Sequence, residues 1–134
     1  MKKTISIFLL FIPFFAFSQL KINEIMTNNV SANMDDTYNY SMWVELYNSS
    51  TATTYNQAAC YFTDNLSEPR KWNPSYKLIG PKSYSLLWFE QPDKAGHASF
   101  KLKPEGGILY LLNASAQILD SVVYPAQYRN ISYG

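Results

Sequence analysis

The apolar residues of this chain fall in short runs, and no window of about 11 residues keeps a clean helical stripe. The runs lie at 20–26, 42–47, 58–63, 84–89, 98–103, 108–112 and 118–124. In 42–47 the side chains alternate, with Met42, Val44 and Leu46 on one face and Trp43, Glu45 and Tyr47 on the other. In 98–103, Phe100 and Leu102 oppose Ser99, Lys101 and Lys103, while 84–89 is apolar on both faces. Short period-two runs rich in Tyr, Val, Ile and Trp are strands. The separators carry Asn, Asp, Ser and Pro, and with only 5 glycines Asn and Asp supply many of the turns. Gly106-Gly107 gives the strongest hairpin signal, and Gly80-Pro81 and Pro92-Asp93 mark further turns. The expectation is a single all-β domain over residues 19–134, a sandwich of about seven to nine mostly antiparallel strands.

The N-terminus reads as an address. Lys2 and Lys3 precede an almost wholly apolar stretch, residues 5–17, and Ala16-Phe17-Ser18 supplies small residues at a cleavage site. The stretch is short of the roughly 20 residues that span a bilayer. Residues 1–18 are expected to be a secretory signal peptide, and the mature chain to begin at Gln19. No cysteine follows the stretch, which excludes a lipoprotein anchor, and no second run is long enough to span. The protein is therefore expected to be secreted, periplasmic or at the cell surface, with no membrane span after cleavage.

The 134 residues carry 11 basic and 10 acidic side chains, but two of the lysines belong to the leader. The mature domain is slightly acidic, with Arg70-Lys71 as its one basic pair, so no nucleic-acid partner is expected. Cys60 is the only cysteine. It excludes an intrachain disulfide and, inside Ala58-Ala59-Cys60-Tyr61-Phe62, reads as a small buried hydrophobe.

Several segments read together. They are Ile22-Asn23-Glu24-Ile25-Met26, Trp43-Val44-Glu45-Leu46-Tyr47-Asn48, Tyr61-Phe62-Thr63-Asp64-Asn65 and Lys71-Trp72. His97-Ala98-Ser99-Phe100-Lys101-Leu102, Asp120-Ser121-Val122-Val123-Tyr124-Pro125 and Ile131-Ser132-Tyr133-Gly134 follow. In this order they resemble the lamin-tail domain of exported bacterial proteins over essentially all of residues 20–134. The resemblance implies an immunoglobulin-like β-sandwich and a non-catalytic module. Exported members look like accessory domains of larger secreted or surface proteins, some beside kinase-like or hydrolase domains. The family carries no catalytic motif to transfer. Ile131-Ser132-Tyr133-Gly134 reads as strand entering a turn, so a longer protein is expected to continue past it.

Each candidate constellation has a plain alternative. Glu24 and Glu45 sit inside strand patterns and could work as an acid–base pair, but each could equally accept loop hydrogen bonds. His97 is the only histidine. With Asp120 and Ser99 it has the residue types of a triad, but no nucleophile elbow or glycine-rich oxyanion loop accompanies it. Zinc chemistry needs more His or Cys than the chain holds. Asn33, Asp35 and Asp36, and separately Asp64 and Asn65, are oxygen-rich turns without the spacing of a calcium loop. No catalytic residue, metal or cofactor is therefore expected. Trp43, Trp72 and Tyr61 are the candidate ligand contacts. Trp43 beside a polar loop and Trp72 before Asn73-Pro74 are expected to stand exposed, whereas Trp88 reads as core. The expected function is an interaction module for a protein or cell-surface component, with a carbohydrate-binding module using exposed aromatic rings as the alternative. Asn48-Ser49-Ser50 and Asn65-Leu66-Ser67 match the glycosylation sequon.

Overall fold

The computed structural model describes residues 18–89 and 96–134. Residues 1–17 of the expected signal peptide and the expected turn at Pro92-Asp93 lie outside these residues. Eight strands follow in chain order: β1 (Leu20–Met26), β2 (Trp43–Asn48), β3 (Tyr55–Asn56), β4 (Cys60–Thr63), β5 (Leu78–Ile79), β6 (Tyr84–Trp88), β7 (Gly106–Asn113) and β8 (Ile118–Pro125). A 3-10 turn, Gln57–Ala59, precedes β4. Among the described residues no helix is long and apolar enough to cross a membrane.

The strands form two three-stranded antiparallel sheets, β1-β2-β6 and β4-β7-β8, with β3 and β5 paired as a small third. Isolated bridges lengthen both main sheets: Tyr133 flanks β1 at Ile25, His97 flanks β6 at Trp88, and Trp72 flanks β4 at Phe62. Alternation decides which side of each strand is buried. Ile22, Val44, Leu46 and Leu87 from the first sheet meet Phe62, Leu109 and Leu111 from the second in one apolar cluster. Four rings fill its centre. Phe62 and Phe89 touch edge-on at 5.6 Å, and Phe89 also meets Trp72 at 5.3 Å and Phe100 at 5.3 Å. The expected all-β, antiparallel, sandwich-like architecture is what the chain adopts.

Two polar devices fix the layers against each other. The Asp120 carboxylate on β8 accepts the backbone N–H of Ile22 at 2.8 Å, beside the bulge that lets Asn23 slip out of register in β1. An inward-leaning charge of this kind also blunts an edge strand. At the other end Ser85, which faces inward on β6, donates to Gln57 Oε1 at 2.8 Å, and Gln57 donates onward to the Ser75 carbonyl.

The structure corrects two strand-level expectations. Residues 98–103 are not a strand. Ala98 donates its N–H to the Trp88 carbonyl, the chain then leaves the sheet, and the Lys103 N–H goes to the Tyr124 hydroxyl. Phe100 and Leu102 are buried all the same. The alternation therefore reported which side chains reach the core, without a ladder partner for the backbone. Gly106-Gly107 is not the hairpin tip either. It opens β7, opposite Pro125 and Tyr124. Gly106 holds φ +107°, and a Cβ there would lie 2.9 Å from the Tyr124 carbonyl oxygen.

The hairpin between β7 and β8 is closed instead by residues 113–117. Asn113 Oδ1 accepts the N–H groups of Ser115 and Gln117, each at 2.9 Å. Ala116 sits at φ +60° with no side-chain hydrogen bond to offset the left-handed conformation. Ala116→Gly should therefore stabilise the protein by about 0.5–1 kcal/mol, read as a raised midpoint in chemical denaturation. An unchanged or lowered midpoint would show that this turn carries no such strain.

Candidate functional site

The aromatic candidates divide. Trp43 is only 5% exposed. It lies in a row that crosses the outward side of the first sheet, Met26–Trp43–Trp88, which His97 extends through its bridge to Trp88. The loop between β1 and β2 folds back over this end of the sheet, bringing Asp36 against His97. The indole Nε1 of Trp43 is buried, with no hydrogen-bond partner among the described residues. Trp72 packs on the core cluster against Phe62 and Phe89. The expectation that these two rings stand exposed is corrected for both. A flanking polar loop does not by itself keep a ring in water. Trp88, read as core, is half-buried on the outward side. Tyr61 is also half-buried, and the Arg70 guanidinium lies over its ring at 5.9 Å.

More exposed aromatic surface lies where sequence reading did not look. On the outward side of the first sheet Lys21, Tyr47 and Tyr84 stand opposite one another across β1, β2 and β6. The two tyrosine rings stack at 4.6 Å with 24° between their planes, and Tyr84 is 54% exposed. The outward side of the second sheet carries Ile108, Tyr110, Ile118 and Val123, with Val123 70% exposed. The alternation that buries Leu109 and Leu111 also fixes these positions as outward.

The acid–base and triad candidates do not assemble into one site. Glu24 and Glu45 face each other across β1 and β2, as an acid pair would require. Each is held by its own donor: Ser132 Oγ for Glu24 and Asn23 Nδ2 for Glu45, both at 2.9 Å. Asp120 is engaged with the Ile22 N–H, and Ser99 donates to the Lys71 carbonyl rather than to His97. Burial pushes the Cys60 thiol up to about 11, far from a nucleophile's range. Asp64 is paired with Lys71 at 2.6 Å, so its turn is explained by an ion pair. The Asn48 side chain is fully buried, donating to the carbonyls of Thr53, Ile79 and Gly80. This sequon is closed to modification in the folded domain.

One cluster was not legible as a set. His97 Nε2 lies 2.9 Å from Asp36 Oδ1, and a ligand atom each from Asp35, Asp36 and His97 fall within 4.8 Å of one another. The His97 side chain is 2% exposed and that of Asp36 65%. Asp35 is buried at the base of the loop. Its Oδ1 accepts the N–H and hydroxyl of Thr37 and the N–H of Asn39, and its Oδ2 accepts the Ser41 hydroxyl. Burial by itself would raise the Asp35 carboxyl. The hydrogen bonds outweigh it and hold the group well below its ordinary value of 3.8.

Comparison with family models, with curated proteins and with solved structures finds no match.

A carboxyl whose pKa is lower folded than unfolded stabilises the fold above the unfolded pKa, and that stabilisation fades as pH falls below it. For Asp35 the loss begins near pH 4 and deepens toward stronger acid. Asp35→Asn should cost about 2 kcal/mol at neutral pH. The variant should also lose less stability than the native chain between pH 5 and 3. Parallel stability–pH curves for the two would contradict this role of Asp35.

Proposed function

We propose that this protein is an exported, non-catalytic interaction module of the lamin-tail kind, with an immunoglobulin-like sandwich, that binds a protein or a cell-surface component. The leader pattern of residues 2–18 supports export, and the order of segments from Ile22 to Gly134 supports the family reading. The observation that carries binding is the outward side of β7 and β8. An antiparallel sheet normally turns polar residues to water on the side away from its core. Here Ile108, Tyr110, Ile118 and Val123 occupy that side, interrupted by Ser121. A contiguous exposed apolar patch is the usual mark of a contact surface. The separate engagements of Glu24, Glu45, Asp120 and Ser99 with other partners support a non-catalytic role. The partner class follows from the surface: an apolar, sheet-shaped patch with few charges suits a protein.

The test is capture of partners from the extracellular fraction, followed by affinity measurement with the purified partner. Val123→Lys should weaken that affinity by about tenfold or more, since it places a charge at the centre of the contact. A freestanding monomer that retains no partner, or one whose binding ignores the substitution, would count decisively against the reading.

The Tyr47–Tyr84 stack favours a second reading, a carbohydrate-binding module that uses this pair in place of the buried Trp43 and core-packed Trp72. Sugar faces stack on exposed aromatic rings, and Lys21 beside the pair offers a hydrogen-bond donor. On a glycan array, Tyr84→Ala should abolish the signal of the native chain. An array with no signal for the native chain removes this reading.

A further inference from the structure

We propose that Asp35, Asp36 and His97 form a binding site for one divalent transition-metal ion of the zinc class, against the expectation drawn from a single histidine and a single cysteine, because carboxylates supply two of the three donors. The donors come from two separate stretches of chain. Asp35 and Asp36 lie in the loop after β1, and His97 flanks β6 through its bridge to Trp88. The fold brings an imidazole that is 2% exposed in its side chain against two carboxylates, with all three ligand atoms within 4.8 Å. Ligands about 2.1 Å from a common ion stand roughly 3.4 Å apart in a tetrahedral set. The His97–Asp36 pair, at 2.9 Å, is tighter than that, and the Asp35 ligand atom lies within 4.8 Å of both. Seating an ion therefore requires His97 and Asp36 to part slightly, and Asp36, exposed to solvent, is free to adjust.

The details favour a metal over a plain hydrogen-bonded turn. Oδ1 of Asp35 accepts three donors and is saturated, whereas the hydrogen bond from Ser41 leaves Oδ2 a lone pair. Ligating carboxylates are commonly oriented by such donors. Among the described residues no ion pair joins either acid to a lysine or arginine. A dication would match two carboxylates and a neutral histidine. The mixed nitrogen and oxygen donor set selects the class of ion. Calcium and magnesium take oxygen ligands, while imidazole suits zinc, copper, nickel and iron. Three protein ligands leave a position for water. Nothing in this proposal depends on which partner the module binds.

Titration calorimetry with Zn2+ alone, on the whole protein, tests it. One ion per chain should bind, with a rise in thermal midpoint on binding. Asp36→Asn and His97→Gln should each weaken the affinity by about tenfold or more. Should His97→Gln fail to fold, Asp36→Asn decides, because that side chain is exposed and its loss leaves the core intact. Three results would overturn the site: no Zn2+ binding tighter than about 100 μM, affinity unchanged in Asp36→Asn, or Ca2+ binding in preference to Zn2+.

Discussion

The contact of Phe62 with Phe89 joins the two halves of this molecule. Phe62 belongs to β4 in the second sheet, and Phe89 follows β6 in the first. Their edge-to-face packing at 5.6 Å is the centre around which Trp72 and Phe100 gather. Both residues are fully buried. Aromatic pairs in this geometry add roughly 0.5–1.5 kcal/mol beyond the area they bury. The apolar area is the larger share, and it explains why a disulfide-free chain can hold two small sheets together. Phe100 and Trp72 come from segments with little ladder of their own. Their attachment to this cluster gives those loops a fixed place.

The polar interior serves orientation. Asn48 ties the end of β2 to the carbonyls of Thr53, Ile79 and Gly80, and Ser85 ties β6 to the turn at Gln57. Asp120 ties β8 to β1 through a single backbone donor. Each is a buried or half-buried group whose partner lies far along the chain. Leaving such a group unpaired would cost more than its hydrogen bond gains. Asp35 works in the same manner inside one loop, organising residues 35–41 and so placing Asp36 beside His97.

Strand positions were legible because their cause is local. Strands 20–26, 84–88 and 118–125 coincide to within a residue or so with short apolar runs bounded by turn residues. β3 and β5 were not legible, since two-residue strands carry no period. The turn at 113–117 carries little local signal, because Ala116 offers no turn chemistry of its own. Asn113 supplies it from three residues earlier. In the candidate sites, a tryptophan's exposure was misjudged from its neighbours in sequence. Trp43 is buried on the outward side of the first sheet and Trp72 packs on the core cluster, and the residues beside each in sequence do not report it.

The sequence alone determined the all-β class, the faces of the longer strands and the identity of most core residues. These follow from period-two patterning, which each strand displays by itself. Only the tertiary structure decided that Gly106 must admit the Tyr124 carbonyl, that Asn48 is sealed, and that Tyr47 meets Tyr84 on an open sheet face. It alone set His97 against Asp36, 61 positions apart in the chain. Juxtapositions of that kind depend on strand order and loop path. Both are fixed by the sum of many weak contacts between distant segments, and no single stretch of sequence carries them.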